Sequence, residues 1–358
     1  MTETPLIEIE DLAISFPTGD DRSGHRRRVR AVHNLNLSIY KKQTVGVVGE
    51  SGCGKSVTAL SILKLVPQPP GKYESGQIIW QDDAGQNCNL LQMTEKQIRA
   101  IRGNEIAMIF QEPMTSLNPV YTIGDQIMEA ILLHQNVDRR QAIQIAADAL
   151  DDVGIADAVS RLKEYPHQLS GGMRQRVMIA MALACQPRLL LADEPTTALD
   201  VTIQAQILEL LRELQDKRGM AVMLITHDLG VVAENADVVA VMYAGRIVEY
   251  GSVHAVFAQP LHPYTQGLFN SMPRLGNQNH RLSTIPGNVP NPANFPPGCP
   301  FHPRCGTVDA DPKCSSDDPP LLEVQEGHWV ACWHTPGYNT GRQTRPKVEY
   351  RREEAEVI

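Results

Sequence analysis

A Gly-rich loop between an apolar run and a helical pattern constrains the fold of this chain more than any other segment. Residues Thr44–Val48 form a short apolar run that is typical of a buried strand. The next eight residues fit the pattern G-x-x-x-x-G-K-S and read Gly49, Glu50, Ser51, Gly52, Cys53, Gly54, Lys55 and Ser56. We call residues 49–56 the P-loop. A loop of this kind joins a strand to a helix and turns successive backbone N–H groups toward one point.

The chemistry predicted for the P-loop is the binding of a nucleotide's phosphates. The backbone N–H groups face phosphate oxygens, Lys55 offers a positive charge to the β- and γ-phosphates, and the Ser56 hydroxyl is a ligand for Mg²⁺. The following helix adds the positive end of its dipole. We therefore assign nucleotide and Mg²⁺ contacts to all eight P-loop residues and to Val57, the next residue of that helix.

Two further apolar runs predict more of the same sheet. Residues 189–192 and 221–226 each resemble a buried parallel strand, and a helical pattern that Gly219 should end lies between them. Strand, helix and strand in this order indicate a parallel α/β core. Ala244 and Gly245 lie between two more strand patterns and predict a hairpin turn.

Two carboxylates follow the first of these runs. Asp193 stands at the predicted strand end, where it can hold the Mg²⁺ shell, and Glu194 follows, where it can polarise a water molecule. The alternative is an acidic cap on an ordinary strand. A nucleotide held by a P-loop needs acidic partners at the carboxyl end of a neighbouring strand, which favours the catalytic interpretation.

A second anion-binding pattern occurs in the same chain. Residues 169–175 read Leu-Ser-Gly-Gly-Met-Arg-Gln, in which Ser170 is a good helix N-cap and Gly171 and Gly172 leave backbone N–H groups accessible. One nucleotide cannot easily use both this pattern and the P-loop of one monomer. The chain thus resembles the ABC ATPases, in which the signature loop of one subunit closes on the γ-phosphate held by the other.

The resemblance implies roles for further residues. Gln111 is similar to the glutamine that links Mg²⁺ and the attacking water to the membrane partner, and His227 to the switch histidine that contacts the γ-phosphate. Phe16 occupies the place of the aromatic residue that stacks on adenine, where Tyr is commoner. Gln175 and Asp200, the latter in Ala198-Leu199-Asp200, join Ser170, Gly171 and Gly172 on the surface that meets the opposing subunit. Two subunits would enclose two MgATP, with Glu194 as general base or water orienter.

Three other segments resemble one branch of this family. Residues 111–119, 165–169 and 262–265 are similar to the dipeptide and oligopeptide importer ATPases of bacteria. The resemblance implies a second, different ATPase subunit, two transmembrane permeases and an extracytoplasmic solute-binding protein, with this chain peripheral at the cytoplasmic face of the inner membrane. Nickel, opine, glutathione and antimicrobial-peptide importers share much of this sequence, so the solute stays open.

Four cysteines fall in a segment rich in Pro and Gly after residue 259, namely Cys299, Cys305, Cys314 and Cys332. Five, eight and seventeen residues separate them, whereas zinc sites favour closer pairs. Family members with this pattern carry a 4Fe–4S cluster, so the resemblance favours that cluster over zinc or unligated thiols. His302, His328 and His334 are expected to be bystanders. We expect this segment to be a separate, poorly packed module distant from the P-loop.

The predicted fold class is α/β: a P-loop NTPase core with an antiparallel β subdomain, a helical subdomain and a Cys-containing C-terminal extension. We expect the core at residues 1–92 and 182–258, the helical part at 93–181, the extension at 259–340 and a charged, frayed tail at 341–358. The arginine-rich residues 25–30 are predicted to form a solvated hairpin loop.

Composition limits the alternatives. A formal net charge of -8 argues against nucleic acid as the main partner. The sequence contains neither an apolar run of membrane-spanning length nor a signal-peptide pattern, so we expect a cytoplasmic protein with reduced thiols. One rival is a non-transport ABC ATPase of translation or DNA repair, but such proteins carry two cassettes or a long insertion. The other is a metal- or redox-sensing module with an inactive ATP site, which the presence of Glu194 and His227 disfavours.

Overall fold

The computed structural model describes residues 4–20, 26–111, 116–197, 200–272, 284–307 and 312–348. The chain divides into two compact units. The first unit comprises Met1–Leu91 and Thr226–Ile358, and the second comprises Gln92–Ile225. Among the described residues, no helix combines the length and the apolar composition that crossing a membrane requires.

The strands of the described chain are β1 Ile7–Asp20, β2 Arg26–Ile39, β3 Thr44–Val48, β4 Lys72–Gln81, β5 Asn87–Asn89, β6 Ile106–Ile109, β7 Leu189–Asp193, β8 Ala221–Ile225, β9 Val238–Tyr243, β10 Arg246–Ser252, β11 Leu322–Gln325 and β12 His328–Val330. The helices are α1 Lys55–Ile62, α2 Glu95–Ile101, α3 Ile123–His134, α4 Arg139–Asp152, α5 Ala158–Arg161, α6 Gly171–Leu183, α7 Val201–Arg218, α8 Leu229–Asn235, α9 Val253–Ala258, α10 Pro263–Asn270 and α11 Lys313–Ser316.

The first unit contains an antiparallel sheet in the order β2-β1-β4-β5. Strand β1 pairs with both neighbours, so that Ile7 lies opposite Ile39 on one side and Trp80 on the other, and all three side chains are buried. The solvated loop expected at residues 25–30 is wrong for residues 26–30, because strand β2 begins at Arg26. His25 lies outside the described residues.

The same unit carries the strands β11-β12-β10-β9-β3, of which β3 and β9 run parallel and the other neighbours antiparallel. The predicted hairpin turn between β9 and β10 is confirmed. Its two residues, Ala244 and Gly245, both have left-handed backbone angles, with φ of 51° and 82°. Two such residues form the tight turn that matches the twist of the paired strands.

The segment after residue 259 is part of this unit's core. Strand β12 pairs with β10, and Phe301 and Tyr264 pack on Tyr243 with ring centroids 5.3 and 4.7 Å away. All three aromatic side chains are buried. The expectation of a separate, poorly packed module is therefore wrong, because aromatic side chains spread along the segment supply its core.

The start of the charged tail is also held in place. Gln43 Nε2 donates to Val348 O at 2.7 Å, and Lys347 pairs with Glu8 on β1 at 2.7 Å. Fraying is therefore wrong for residues 341–348, since both backbone and charged groups find partners there. Residues 349–358 lie outside the described part of the chain.

The second unit combines three parallel strands in the order β8-β7-β6 with helices α2 to α7. Strands β7 and β8 are buried along their whole length, as expected for apolar runs in a parallel sheet. Helix α7 ends where the sequence predicts, at Gly219 with φ 65°. Just before that end, Lys217 and Arg218 both donate to Asp152 at the end of α4, which lowers the pKa of that carboxyl.

Candidate active site

The P-loop lies at the carboxyl end of β3, and its backbone leaves no room for side chains at two glycines. Gly49 and Gly54 have φ of 152° and 104°. A Cβ atom on Gly49 would lie 2.2 Å from Met242 O, and one on Gly54 would lie 2.6 Å from Ala31 O. Helix α1 begins directly after Gly54, at Lys55, without a side-chain cap. The uncapped N–H groups of the first turn are therefore available to an anion.

The charged and polar side chains of the loop differ in exposure. Lys55 is 6% exposed and its Nζ donates to Gly49 O at 2.7 Å and to Glu50 O at 3.2 Å. Ser51 and Gly52 are exposed, and Ser56 and Val57 are half-buried in the first turn of α1. Cys53 is buried, which raises the pKa of its thiol. A protonated, inaccessible thiol is a poor ligand, so any contact of Cys53 with a nucleotide would come from its backbone N–H.

Glu50 connects the P-loop to the segment after residue 259. Its carboxylate accepts two hydrogen bonds from the Arg304 guanidinium, at 2.6 and 3.0 Å, and its backbone N–H donates to the Tyr264 hydroxyl at 2.8 Å. The expectation that this segment lies far from the P-loop is therefore wrong. No sequence signal pointed to Arg304, because it is 254 residues from its partner.

Two other candidate residues lie in the first unit. The N–H of Thr226 donates to Val47 O at 3.2 Å, which places the exposed His227 at the same end of β3 as the P-loop. Phe16 is half-buried on β1, and its Cε1 lies 3.1 Å from the position a Cβ on Gly71 would occupy.

In the second unit, Glu194 is held in an unusual conformation at the end of β7. It has φ of 48°, in the left-handed region that non-glycine residues seldom adopt. Its backbone N–H donates to Ile225 O at 2.9 Å, and its Oε2 accepts from Gln111 Nε2 at 3.2 Å and Thr197 Oγ1 at 2.8 Å. Asp193, the last residue of β7, is 4% exposed. Strain of this kind is concentrated at functional sites, where the surroundings hold one side-chain direction.

The second anion-binding pattern is an exposed helix start. Ser170 caps α6, since its Oγ accepts from Met173 N at 3.3 Å, which confirms the predicted N-cap. Outside the backbone of α6 itself, no described atom lies within 4 Å of a Cβ on Gly171, and a Cβ on Gly172 would touch Ile203, at 3.4 Å. Gly171 is exposed and Gly172 is half-buried, so the backbone at the start of α6 is accessible within its own unit.

Two residues grouped with that surface behave differently. Asp200 is exposed and caps α7, accepting from Ile203 N at 3.0 Å. The preceding residues 198 and 199 lie outside the described part of the chain. Gln175 is fully buried, and its side-chain amide donates to Pro195 O. Its expected role in contacting another subunit is not supported, because the side chain lies inside its own unit, against the segment after Glu194.

Cavity-lining thiols occur in the segment after residue 259. All four predicted cysteines line one cavity, together with His262, His302 and His334 among others. Burial, and to a smaller extent the neighbouring thiols, raise the pKa of Cys299 to about 12 and also raise that of Cys332. Cys314 Sγ lies 3.3 Å from His334 Nε2.

Four thiols around one cavity are a donor set that a thiolate-bound group requires, although burial favours the protonated form of Cys299 and Cys332 when nothing is bound. Among the described residues, no three His, Cys, Asp or Glu side chains are grouped as metal ligands. His328 does not belong to the cavity; it pairs with the buried Glu249 at 2.9 Å.

These features define a P-loop nucleotide-binding protein. A family model described as "ABC transporter" matches residues 32–197, and one described as "Oligopeptide/dipeptide transporter, C-terminal region" matches residues 248–314. The chain belongs to the ABC transporter family, as an ATP-binding subunit with the C-terminal region of the oligopeptide and dipeptide transporters.

Relatives support this membership over nearly the whole chain. The oligopeptide transport ATP-binding protein AppD of Bacillus subtilis is 52% identical, over 92% of this chain and 96% of the relative. The dipeptide transport ATP-binding protein DppD of Escherichia coli is 48% identical, over 95% and 99%. A dimeric bacterial ABC transporter cassette is 26% identical, with a TM-score of 0.59 over 69% of this chain and 98% of that structure. The same cassette has also been solved as a post-hydrolysis dimer with ADP and phosphate.

Proposed function

We propose that this chain hydrolyses ATP to power the import of dipeptides or oligopeptides through partner permeases. The observation that carries the proposal is the joint presence of a P-loop with an uncapped helix start and an exposed, capped signature helix in a chain that contains the peptide-transporter C-terminal region. The names of AppD and DppD, whose full lengths are nearly matched, support peptides as the solute.

The residues divide the work of hydrolysis. The P-loop N–H groups and Lys55 hold the phosphates, and Phe16 stacks on the adenine. Oxygen donors of Ser56 and Asp193 suit Mg²⁺, which would neutralise phosphate charge when bound. Glu194 orients the attacking water or takes its proton, and its hydrogen bonds from Gln111 and Thr197 aim the carboxylate. His227 contacts the γ-phosphate.

A second ATPase subunit completes the site. The exposed turn at Ser170, Gly171 and Gly172 meets the nucleotide of that subunit, and Asp200 belongs to the same contact surface. We take the second subunit to be a different chain. Large apolar side chains are exposed in the second unit, among them Val120 at 71% and Leu133 at 73%. Exposed apolar groups of this size suit docking to another protein, here one of two permeases at the cytoplasmic face of the inner membrane. An extracytoplasmic solute-binding protein would deliver the peptide.

We also propose that the four cysteines bind a 4Fe–4S cluster, with zinc as the alternative. The support is that four thiols line one cavity, and cluster ligation commonly uses four thiolates. Protein purified without oxygen should be brown and contain about four irons per chain, and Cys305→Ser should lose both. Colourless protein with one bound zinc would show that the site holds zinc and not a cluster. Metal-free protein with four titrating thiols would reject both metal sites.

Uptake of labelled solutes tests the transport function. A strain that lacks the gene should lose uptake of labelled dipeptides and oligopeptides, and the wild-type gene should restore it. The matched control is a gene carrying Lys55→Ala, which should fail to restore uptake because the phosphate charge is no longer balanced. If uptake of dipeptides and oligopeptides is unchanged but uptake of nickel, opine, glutathione or an antimicrobial peptide is lost, the ATPase role stands and the transported solute is a different one. No loss of any uptake would support a non-transport ATPase.

A further inference from the structure

The second residue of the P-loop carries a charge that opposes the ligand the loop is proposed to bind. Glu50 places a carboxylate in a loop whose backbone N–H groups attract phosphate. Two like charges a few ångströms apart repel each other strongly where water is largely excluded. An unbalanced carboxylate at this position would therefore weaken binding of a nucleotide.

Arg304 balances that charge with a fixed geometry. Its two terminal nitrogens contact the two carboxylate oxygens of Glu50 at 2.6 and 3.0 Å, which is the bidentate arrangement that guanidinium groups favour. The Arg304 side chain is 4% exposed and that of Glu50 is 30% exposed. Partial exclusion of solvent makes this pair stronger than one at the surface.

The remaining contacts of Arg304 hold it in place. Its Nε donates to Pro286 O at 3.0 Å, Nη1 donates to the Tyr243 hydroxyl at 3.4 Å, and the guanidinium lies 5.9 Å from the ring centre of Phe301. Its backbone belongs to the short 3₁₀ turn His302–Arg304, so its position depends on the fold of this segment. The guanidinium is thus presented to the P-loop in one orientation.

Tyr264 secures the backbone of the same P-loop residue. Its hydroxyl oxygen accepts the N–H of Glu50 at 2.8 Å, and its side chain is fully buried. Side chain and backbone of Glu50 are therefore both held from the region that follows β10. No other P-loop residue has a described side-chain partner from that region.

From these contacts we propose that Arg304 is a positioning residue for nucleotide binding, which neutralises Glu50 and holds its carboxylate away from the phosphates. The inference rests on the proposal above that the P-loop binds ATP. A purely structural ion pair would stabilise the C-terminal region without affecting the affinity for nucleotide. In the proposed role, the loss of Arg304 harms binding through the unpaired Glu50 charge.

The test measures the affinity of the isolated full-length protein for a non-hydrolysable ATP analogue with a β,γ-imido bridge, in the presence of Mg²⁺. Arg304→Ala should weaken binding about tenfold or more, and Arg304→Lys, which keeps the charge but loses the bidentate fork, should weaken it less. Adding Glu50→Gln to Arg304→Ala should recover affinity to within about threefold of wild type, because no unpaired carboxylate remains. The matched control is Arg342→Ala, which breaks the ion pair between the exposed Arg342 and Glu323 in the same region and should leave affinity unchanged.

The outcomes separate this inference from the proposed function. Wild-type affinity in Arg304→Ala, or a double variant as weak as the single one, would overturn the positioning role. If Arg304→Ala does not fold, as judged by circular dichroism and thermal unfolding, Arg304→Lys with and without Glu50→Gln carries the same comparison. Failure of the wild-type protein to bind the analogue would instead overturn the proposed ATP-binding function.

Discussion

The chain contains two helix starts that suit an anion, and they are built in opposite ways. Helix α1 begins without a side-chain cap after Gly54, whose left-handed backbone is enclosed by Ala31 O and Met242. Helix α6 begins with the capping hydroxyl of Ser170, and the space around Gly171 is open. At the first start, other parts of the same unit pack closely against Gly49 and Gly54. The second start is exposed, and we propose that it is a half-site completed by another subunit.

The contrast explains why a single chain is proposed to be incomplete. An enclosed loop can select and hold a nucleotide by itself, whereas exposed N–H groups next to solvent bind a lone anion weakly. Enclosure by a second subunit would remove the solvent and strengthen the same contacts. Substitutions at the two helix starts should therefore affect different measurements.

The largest effect is expected for Gly172→Asp. The new side chain fits, since a Cβ there makes only an ordinary contact with Ile203 at 3.4 Å. Binding of ATP by the isolated subunit should stay within about twofold, but turnover of the assembled transporter should be undetectable because a carboxylate opposes the partner's γ-phosphate. Phosphate release by the assembled transporter measures turnover, and a nucleotide-binding assay on the isolated subunit measures ATP affinity. Gly172→Ala is the uncharged control and should retain measurable turnover; loss of ATP binding by the isolated Gly172→Asp subunit would contradict the half-site.

A smaller loss is expected for Glu194→Gln. The amide keeps an oxygen for the Thr197 hydroxyl but cannot take a proton from water, so hydrolysis should slow about 10²–10⁴-fold while MgATP binding persists. The ATP-bound dimer should accumulate, as measured by sedimentation. The control Glu209→Gln changes an exposed carboxylate on α7 and should leave turnover unchanged. Near-normal turnover of Glu194→Gln would remove this residue from the catalytic role.

The same substitution at both helix starts should give unequal results. Gly54→Ala should lower the free energy of unfolding by about 1–3 kcal/mol and weaken ATP binding of the isolated subunit about tenfold or more, because of its φ and the contact at 2.6 Å. Gly171→Ala should change the stability by less than about 0.5 kcal/mol. Chemical denaturation measures both, and equal losses would show that the two starts are equally enclosed.

The smallest effect is expected for Tyr264→Phe. It removes only the acceptor of the Glu50 N–H, so affinity of the isolated subunit for the imido analogue should fall about two- to tenfold. Tyr338→Phe is a matched control, since its buried hydroxyl donates to Pro320 O and does not contact the P-loop. The control should lose comparable stability with unchanged affinity. Equal affinities in both variants would mean that Tyr264 does not support the loop.

The parts of the fold that sequence reasoning predicted correctly depend on local patterns. The strand before the P-loop, the cap at Ser170, the helix end at Gly219 and the turn at Ala244 and Gly245 each follow from a few neighbouring residues. Each of these signals reflects a local hydrogen bond or a backbone preference, and both depend only on a few neighbouring residues. Local sequence patterns therefore identified most of the elements that carry candidate residues.

The incorrect predictions share a different origin. The buried position of Gln175 depends on Pro195 and the packing of Phe301 depends on Tyr243, and neither partner is a sequence neighbour. Charge at Arg26–Arg30 suggested a solvated loop, but pairing along β1 outweighs local polarity there. A Pro-rich segment suggested weak packing, but its aromatic residues find a core that other segments build.

By itself the sequence determined that this chain has a P-loop, a signature helix start and a catalytic carboxylate candidate, because each is a short run whose spacing the chemistry requires. Only the tertiary structure decided that Arg304 and Tyr264 brace Glu50 and that Gln111 and Thr197 aim Glu194. Those contacts join residues up to 254 positions apart. Burial of the whole core sets their distances, and no local pattern records which distant side chain the folded chain will bring to each group.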